Sequence, residues 1–406
     1  MGALLFGIRV VEVAMWGFVP SAGVALADWG ADVVKVEHPV HGDPLRGLLT
    51  SGGAMQKTSG ANFMWELFNR GKRSVGIDIR HPEGLDVLYQ LVAGADVFIT
   101  SFLPEARARL GIEVDDLRAH NPGLVYGRGS GMGPEGPEAN RGGYDAAAWW
   151  ARSSVAYKVT PPGAPISAPM PGPAFGDLQS GLTLAGGIAA ALLKRERTGE
   201  PSVVDVSLLN AGMWGMSAEI TATTLLGIDA FYIGDRRVVP NPIVAQYRTK
   251  DERFLQLVML EADVHWPDLC RRIGRPDLVD DARFSTMALR AENSAACVAE
   301  LEQAFAARTL AEWKGALADA TGVWAPVQGP REIPDDPQVQ ANGYVRTRRT
   351  AHGEEYLAVS NPVRTDGTSA EVRPAPEHGE HTEEVLLELG CSWEQLAHWK
   401  EAQAIL

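Results

Sequence analysis

Residues 8–37 read IRVVEVAMWGFVPSAGVALADWGADVVKVE. Residues 8–13 form a Val-rich apolar run of strand length, and residues 33–37 form a second. Between them, residues 20–29 carry a helical pattern, with Pro20 in the opening turn and Gly30 at the end. Strand, helix and strand in so short a span predict a βαβ unit, and hence a parallel sheet flanked by helices.

The rhythm continues outward from this stretch. Residues 62–69 and 81–92 read as helices, and residues 74–79, 96–100 and 124–127 as strands. Sheets of this kind bind ligands outside the C-terminal ends of their strands, which singles out the loops at 14–19, 38–46 and 101–105. Residues 161–173 are dense in Pro and Gly and read as a loop. Phe175-Gly176-Asp177 then leads into a helix over 178–197, followed by a strand at 202–207 and a helix over 208–226. Residues 231–246 are loop-like, and 247–258 read as a hairpin turned at Lys250-Asp251-Glu252. Helical segments then run to about residue 318, so a second, smaller domain is expected at 228–328. The tail returns to strand-like sequence at Val345 and ends in a helix over 382–389.

Bulk properties narrow the function classes. A chain of 406 residues is too long for one ordinary core, and two lobes are expected. A formal net charge of -14 argues against a nucleic-acid partner, which needs a broad basic face. Cys270, Cys297 and Cys391 are far apart and form no CxxC pair, so neither a zinc site nor a disulfide framework is expected. That usage fits a reducing cytoplasm, and no apolar run suggests a membrane span.

Asp177 stands where a proline-rich loop enters a helix. An aspartate there caps the helix by accepting its free N–H groups, and capping alone is one reading. The other is catalytic. Gly181, Ala185, Gly186, Gly187, Ala189 and Ala190 leave little bulk behind it, which lets a ligand or a backbone approach closely. Glycines inside a helix cost about 1 kcal/mol each relative to alanine, so something should offset them. Arg70, Lys72 and Arg73 form a basic cluster that is either a phosphate site or a solvated loop. GMGPEG at 131–136 fits GxGxxG, yet it contains Pro134 and opens no helix. The first βα turn, AMWGFVPS, has one glycine, so no NAD site is expected. His378 and His381 lie in a turn before a helix and read as helix entry rather than as a metal pair. Trp149, Trp150, Met213, Trp214 and Met216 are either an apolar acyl pocket or packing.

Eight segments together resemble family III CoA-transferases, the CaiB–BaiF family, which also holds 2-methylacyl-CoA racemases. They are residues 10–46, NRGKRSVGIDIRHPEG at 69–84, ITSFLPEARARLGI at 99–112 and NPGLVYGRGSGMG at 121–133. GGYDAAAWW at 142–150, GPAFGDLQSGLTLAGGIAAALLKRERTGE at 172–200, NPIVAQYRTKDERFLQL at 241–257 and HGEHTEEVLLELG at 378–390 complete the set.

The resemblance implies an α/β fold whose Rossmann-like large domain takes residues 1–227 and 329–406. It also implies ring-shaped subunits interlocked as a homodimer, and no metal. It places the nucleophile on Asp177, and coenzyme A on Trp16, Gly17, Phe18, His38, Arg70, Lys72, Arg73, Ser101, Phe102, Arg109 and Leu110. His38 stands where relatives often carry an arginine. The implied chemistry is CoA transfer from an acyl-CoA to a carboxylic acid through an aspartyl anhydride and an aspartyl-CoA thioester. A racemase is the alternative. It would use a histidine where this chain has Tyr144, beside Asp145, and a small-domain glutamate, for which Glu261 is the match. The formate and oxalate branch carries a glycine-rich loop that residues 236–245, RRVVPNPIVA, lack.

Overall fold

The two Val-rich runs of the opening segment become β1 (Arg9–Val13) and β2 (Asp32–Glu37), joined by α1 (Phe18–Asp28). They pair in parallel, with Arg9 opposite Asp32 and Glu12 opposite Lys35. The computed structural model describes residues 3–50, 62–229, 239–365 and 373–406. The chain divides into two units. One comprises Met1–Thr160, Ala164–Phe231 and Gly343–Leu406, and the other Pro161–Gly163 and Tyr232–Asn342.

In the first unit there follow α2 (Phe63–Asn69), β3 (Arg73–Gly76), α3 (Pro82–Ala93), β4 (Val97–Thr100), α4 (Pro104–Leu110), α5 (Val114–Arg118) and β5 (Val125–Ser130). A π-helix (Ala146–Arg152), α6 (Val155–Val159), α7 (Phe175–Thr198), β6 (Val203–Ser207), α8 (Leu208–Gly215) and α9 (Ser217–Leu226) come next. The helix expected over 208–226 is therefore broken at Met216. In the second unit β7 (Gln246–Arg248), β8 (Phe254–Val258) and β9 (Val323–Pro326) form an antiparallel sheet. Its helices are α10 (Ala262–Arg272), α11 (Met287–Glu292), α12 (Ser294–Phe305), α13 (Leu310–Ala316) and α14 (Pro337–Asn342). This unit runs past the boundary expected at 328, because Arg253 bonds the Val327 carbonyl at 3.1 Å and Glu332 at 2.6 Å. The chain then rejoins the first unit with the hairpin β10 (Val345–Arg349) and β11 (Glu355–Val359), then α15 (Thr382–Glu388) and α16 (Trp393–Glu401).

The first unit's six strands form one parallel sheet in the order β3-β2-β1-β4-β5-β6. Alternation sends Val11, Val34, Val75, Phe98 and Tyr126 into one core, with residues of α3, α15 and α16. Val10, Val33, Val97 and Val125 enter the other, with residues of α1, α7 and the π-helix. The strand order reverses between β1 and β4, where such sheets open a crevice. At the far edge, the N–H of Leu406 donates to the Gly76 carbonyl at 3.0 Å, and Ile405 bridges Ile77. Among the described residues no helix is long and apolar enough to cross a membrane.

Candidate active site

The β1–α1 loop is held in an unusual shape. Trp16 has a φ of 68°, a left-handed conformation that costs a bulky residue of order 1–3 kcal/mol and persists only when its surroundings impose it. Here they do. Asp43 accepts the Trp16 N–H at 3.3 Å, Ser101 Oγ accepts the Met15 N–H at 3.0 Å, and Lys35 Nζ donates to the Ala14 carbonyl at 2.8 Å. Below the loop lies a chain of buried charges. Lys35 Nζ sits 3.0 Å from Glu12 and 2.9 Å from Asp43, and Lys72 Nζ sits 2.7 Å from Glu12. Burial lowers the pKa of Lys72, with Glu12 opposing. Burial opposes the charge of Glu37 as well, but Arg46 and Lys35 bring it down to about 2.

The second wall is the start of α7. Its cap is Ala174, which has a φ of 60° and no side chain able to cap. Asp177 therefore lies inside the first turn, not at the cap as the sequence suggested. The capping work falls to Asp145, which accepts the Gly176 N–H at 3.2 Å and the Ala146 N–H at 2.8 Å. Ser21 Oγ donates to the carbonyls of Phe18 at 2.7 Å and Asp177 at 3.0 Å, which locks α1 onto α7. A Cβ on Gly181 would come within 1.7 Å of that hydroxyl, and one on Gly176 within 2.6 Å of Trp149. Close helix packing thus accounts for glycine at these two positions.

The two walls meet at Gly17 and Asp177. A Cβ on Gly17 would lie 2.4 Å from Oδ2 of Asp177. Gly17 is the N-cap of α1, whose first turn has no side-chain cap, so this carboxylate faces the positive end of a helix. The Asp177 carboxylate accepts no hydrogen bond from any described residue. Burial, and after it the charge of Asp145, push its pKa up to about 7. The cleft around it measures about 320 Å³ and opens at the C-terminal ends of β1, β4 and β5.

The profile of CoA-transferase family III matches residues 5–382. The chain belongs to CoA-transferase family III. It is 32% identical to the (R)-2-hydroxy-4-methylpentanoate CoA-transferase of Clostridioides difficile, over 99% of each chain. It is also 32% identical to the succinate–glutarate CoA-transferase of Agrobacterium fabrum, over 95% of each. A CAIB/BAIF family protein from Brucella suis superposes with a TM-score of 0.82 at 28% identity, covering 96% of this chain and 100% of that one.

In this family III enzyme, Trp16, Gly17, Phe18, Ser101, Phe102 and Tyr144 share the cleft with Asp177. His38 and Leu110 line a second, smaller cleft of about 100 Å³, together with Asp78 and Arg80. Arg80 escaped the sequence reasoning; its place just after the third strand, beyond Asp78, was the available signal. Ala106 of α4 borders the first cleft and Leu110 of the same helix the second. Arg109, between them in sequence, is exposed and forms no ion pair with a described residue.

The cluster of Arg70, Lys72 and Arg73 is neither a solvated loop nor an open phosphate site. Lys72 is fully buried on Glu12, Arg70 pairs with Asp28 at 2.8 Å, and Arg73 pairs with Asp32 at 2.6 Å and Glu388 at 2.9 Å. An acidic chain has carboxylates to neutralise internally, and these three cations do so. Glu261 belongs to the second unit, exposed at the start of α10. Residues 236–238 of the RRVVPNPIVA stretch lie outside the described residues. Trp149 and Trp150 are core residues, whereas Met213 and Trp214 are exposed and line neither cleft. Gly131 of GMGPEG serves close packing, since a Cβ there would lie 2.8 Å from Gly143 Cα. His381 Nδ1 accepts the Ser74 N–H at 3.3 Å beside the entry to α15.

Proposed function

We propose that this enzyme moves CoA between an acyl-CoA donor and a carboxylic acid acceptor, with Asp177 as nucleophile. One observation carries the proposal: a carboxylate that accepts no hydrogen bond from any described residue faces the uncapped N-terminus of α1 across Gly17. The carboxylate attacks the thioester carbonyl, the C–S bond breaks, and a mixed anhydride and CoA thiolate result. The thiolate then attacks the aspartyl carbonyl, releasing the first acid and leaving an aspartyl-CoA thioester. The acceptor carboxylate enters by the same steps reversed, and no net proton or electron is transferred. The first turn of α1 stabilises the negative oxygens formed on the way.

The two clefts bordered by α4 suggest the path of CoA. Its thioester end lies along Trp16–Phe18, Ser101 and Phe102, and its phosphates lie toward His38, Arg80 and Arg109. Exposed apolar side chains on α8 and α9, Trp214 at 82% and Leu225 at 80%, support the interlocked homodimer that the resemblance implies. A monomer in sedimentation at nanomolar concentration would remove that part.

The pKa of about 7 at Asp177 favours a second reading, since an acid–base group works best near ambient pH. On that reading the enzyme exchanges the α-proton of a 2-methylacyl-CoA. One experiment separates the two. The enzyme is incubated with acyl-CoAs and hydroxylamine, then digested and mapped by mass spectrometry, with deuterium uptake followed in parallel. A hydroxamate on Asp177 supports transfer; α-deuterium exchange without any adduct supports racemisation.

A further inference from the structure

The cleft that holds Asp177 also bears on which acid it activates. Trp16 and Tyr144 stand on its wall with their rings perpendicular and their centroids 5.7 Å apart. Phe18, Phe102, Leu103 and Leu208 extend the apolar lining. Tyr144 is 61% exposed although it adjoins this wall, so its ring has surface to offer a ligand. Two perpendicular rings make a corner in which a third ring meets one face-on and the other edge-on, both arrangements that aromatic quadrupoles favour. Charge in the cleft is of one sign. Asp177 is the only charged side chain among the described lining residues, and Asp145 holds the N–H of Gly176 next to it. A second carboxylate on an acyl chain would lose its water here and meet like charge.

We infer that the preferred acyl group belongs to an aryl-bearing monocarboxylic acid, and that Trp16 and Tyr144 select it over dicarboxylic acids. This rests on the transferase reading of the same cleft, and the test keeps the two apart. Two CoA thioethers of matched length, S-(3-phenylpropyl)-CoA and S-(3-carboxypropyl)-CoA, are titrated calorimetrically into the full-length enzyme. Neither can be cleaved, so binding is read without turnover. The phenyl compound should bind at least about tenfold tighter. Tyr144→Phe should keep that preference, while Tyr144→Ala, its folding checked by thermal melting, should reduce it about fivefold or more. Equal affinities in the wild type, or a preference that survives Tyr144→Ala unchanged, would overturn the inference. CoA transfer is then measured with 3-phenylpropanoyl-CoA and succinyl-CoA as donors. A phenyl preference in binding without transfer from either donor leaves the aryl pocket standing and sinks the transferase. Transfer at equal kcat/KM from both donors does the reverse.

Discussion

Gly17 and Asp177 are in contact across the cleft, with no room between them for a single methyl group: a Cβ on Gly17 would lie 2.4 Å from Oδ2 of Asp177. Gly17→Ala should therefore displace the carboxylate while leaving the clefts otherwise intact. Misplacing a reacting group by about 1 Å costs on the order of 10²-fold in rate, so kcat should fall by about that much, beyond any change in CoA affinity. Steady-state kinetics together with CoA titration read this directly, and an unimpaired Gly17→Ala enzyme would remove Asp177 from the chemistry.

Asp177→Asn should lower transfer by at least about 10³-fold. The same change makes a second, thermodynamic mark. The pKa of Asp177 is raised to about 7 by burial and then by Asp145, so the folded protein holds this proton more tightly than the unfolded chain does. Stability from that proton is present at low pH and is lost as pH rises through about 7. The asparagine variant has no such loss. It should be the more stable protein above pH 7, by on the order of 2–4 kcal/mol, and the gap should vanish below about pH 4. Denaturant melts at pH 4 and pH 8 decide it.

Two glycines of α7 should respond in opposite directions to the same substitution. Gly181→Ala puts a methyl 1.7 Å from Ser21 Oγ and should destabilise the protein by about 1–3 kcal/mol. Gly186→Ala meets nothing within 4 Å and should stabilise it by about 0.5–1 kcal/mol. Thermal unfolding of the pair, side by side, is the measurement.

Substitutions at Lys72 and Arg109 should separate structure from binding. Lys72→Met leaves Glu12 buried with one cation fewer and should cost about 3–5 kcal/mol of stability. Arg109→Gln should leave the melting curve in place and raise KM for acyl-CoA about tenfold, with a weaker salt dependence. If KM fails to move, the phosphates of CoA lie elsewhere.

His38 carries a lowered pKa, first from burial and then from Arg80, His41 and His378, with Asp78 opposing. It is therefore neutral at pH 7 in the free enzyme. His38→Arg supplies a permanent charge at the second cleft and should tighten CoA binding at pH 8 by about tenfold. The wild type should approach the variant as pH falls below the ordinary histidine range, and calorimetry over such a pH series would show a constant ratio if His38 stands apart from CoA.

The parallel sheet was legible because residues 8–37 hold two Val-rich runs at strand length with one helix, closed by Gly30, between them. The buried ion chain was not. Glu12 and Lys35 look like solvent-facing residues in a strand, and only the partnership of Glu12, Asp43 and Lys72 makes their burial tolerable. Asp177 was legible as a candidate, but its capping role was misplaced, because the acceptor that serves α7, Asp145, comes from a distant stretch of sequence. The Ala146–Arg152 π-helix has no periodic signal of its own. The last helix lies beyond the one expected at 382–389 and did carry a start signal: Ser392 and Gln395 form the capping box that opens α16.

The way the first unit closes has a consequence for biosynthesis. The end of β3 and the residues just after it bond Ala404–Leu406, and the core on that side of the sheet takes in Leu386, Leu396 and Trp399, all made after residues 232–342. The parallel sheet must therefore wait with part of one hydrophobic face uncovered, since α3 packs there but α15 and α16 do not yet exist, while the intervening segment, whose core is local, can already condense. Truncations that remove α16 should therefore accumulate as insoluble material rather than as a smaller folded enzyme.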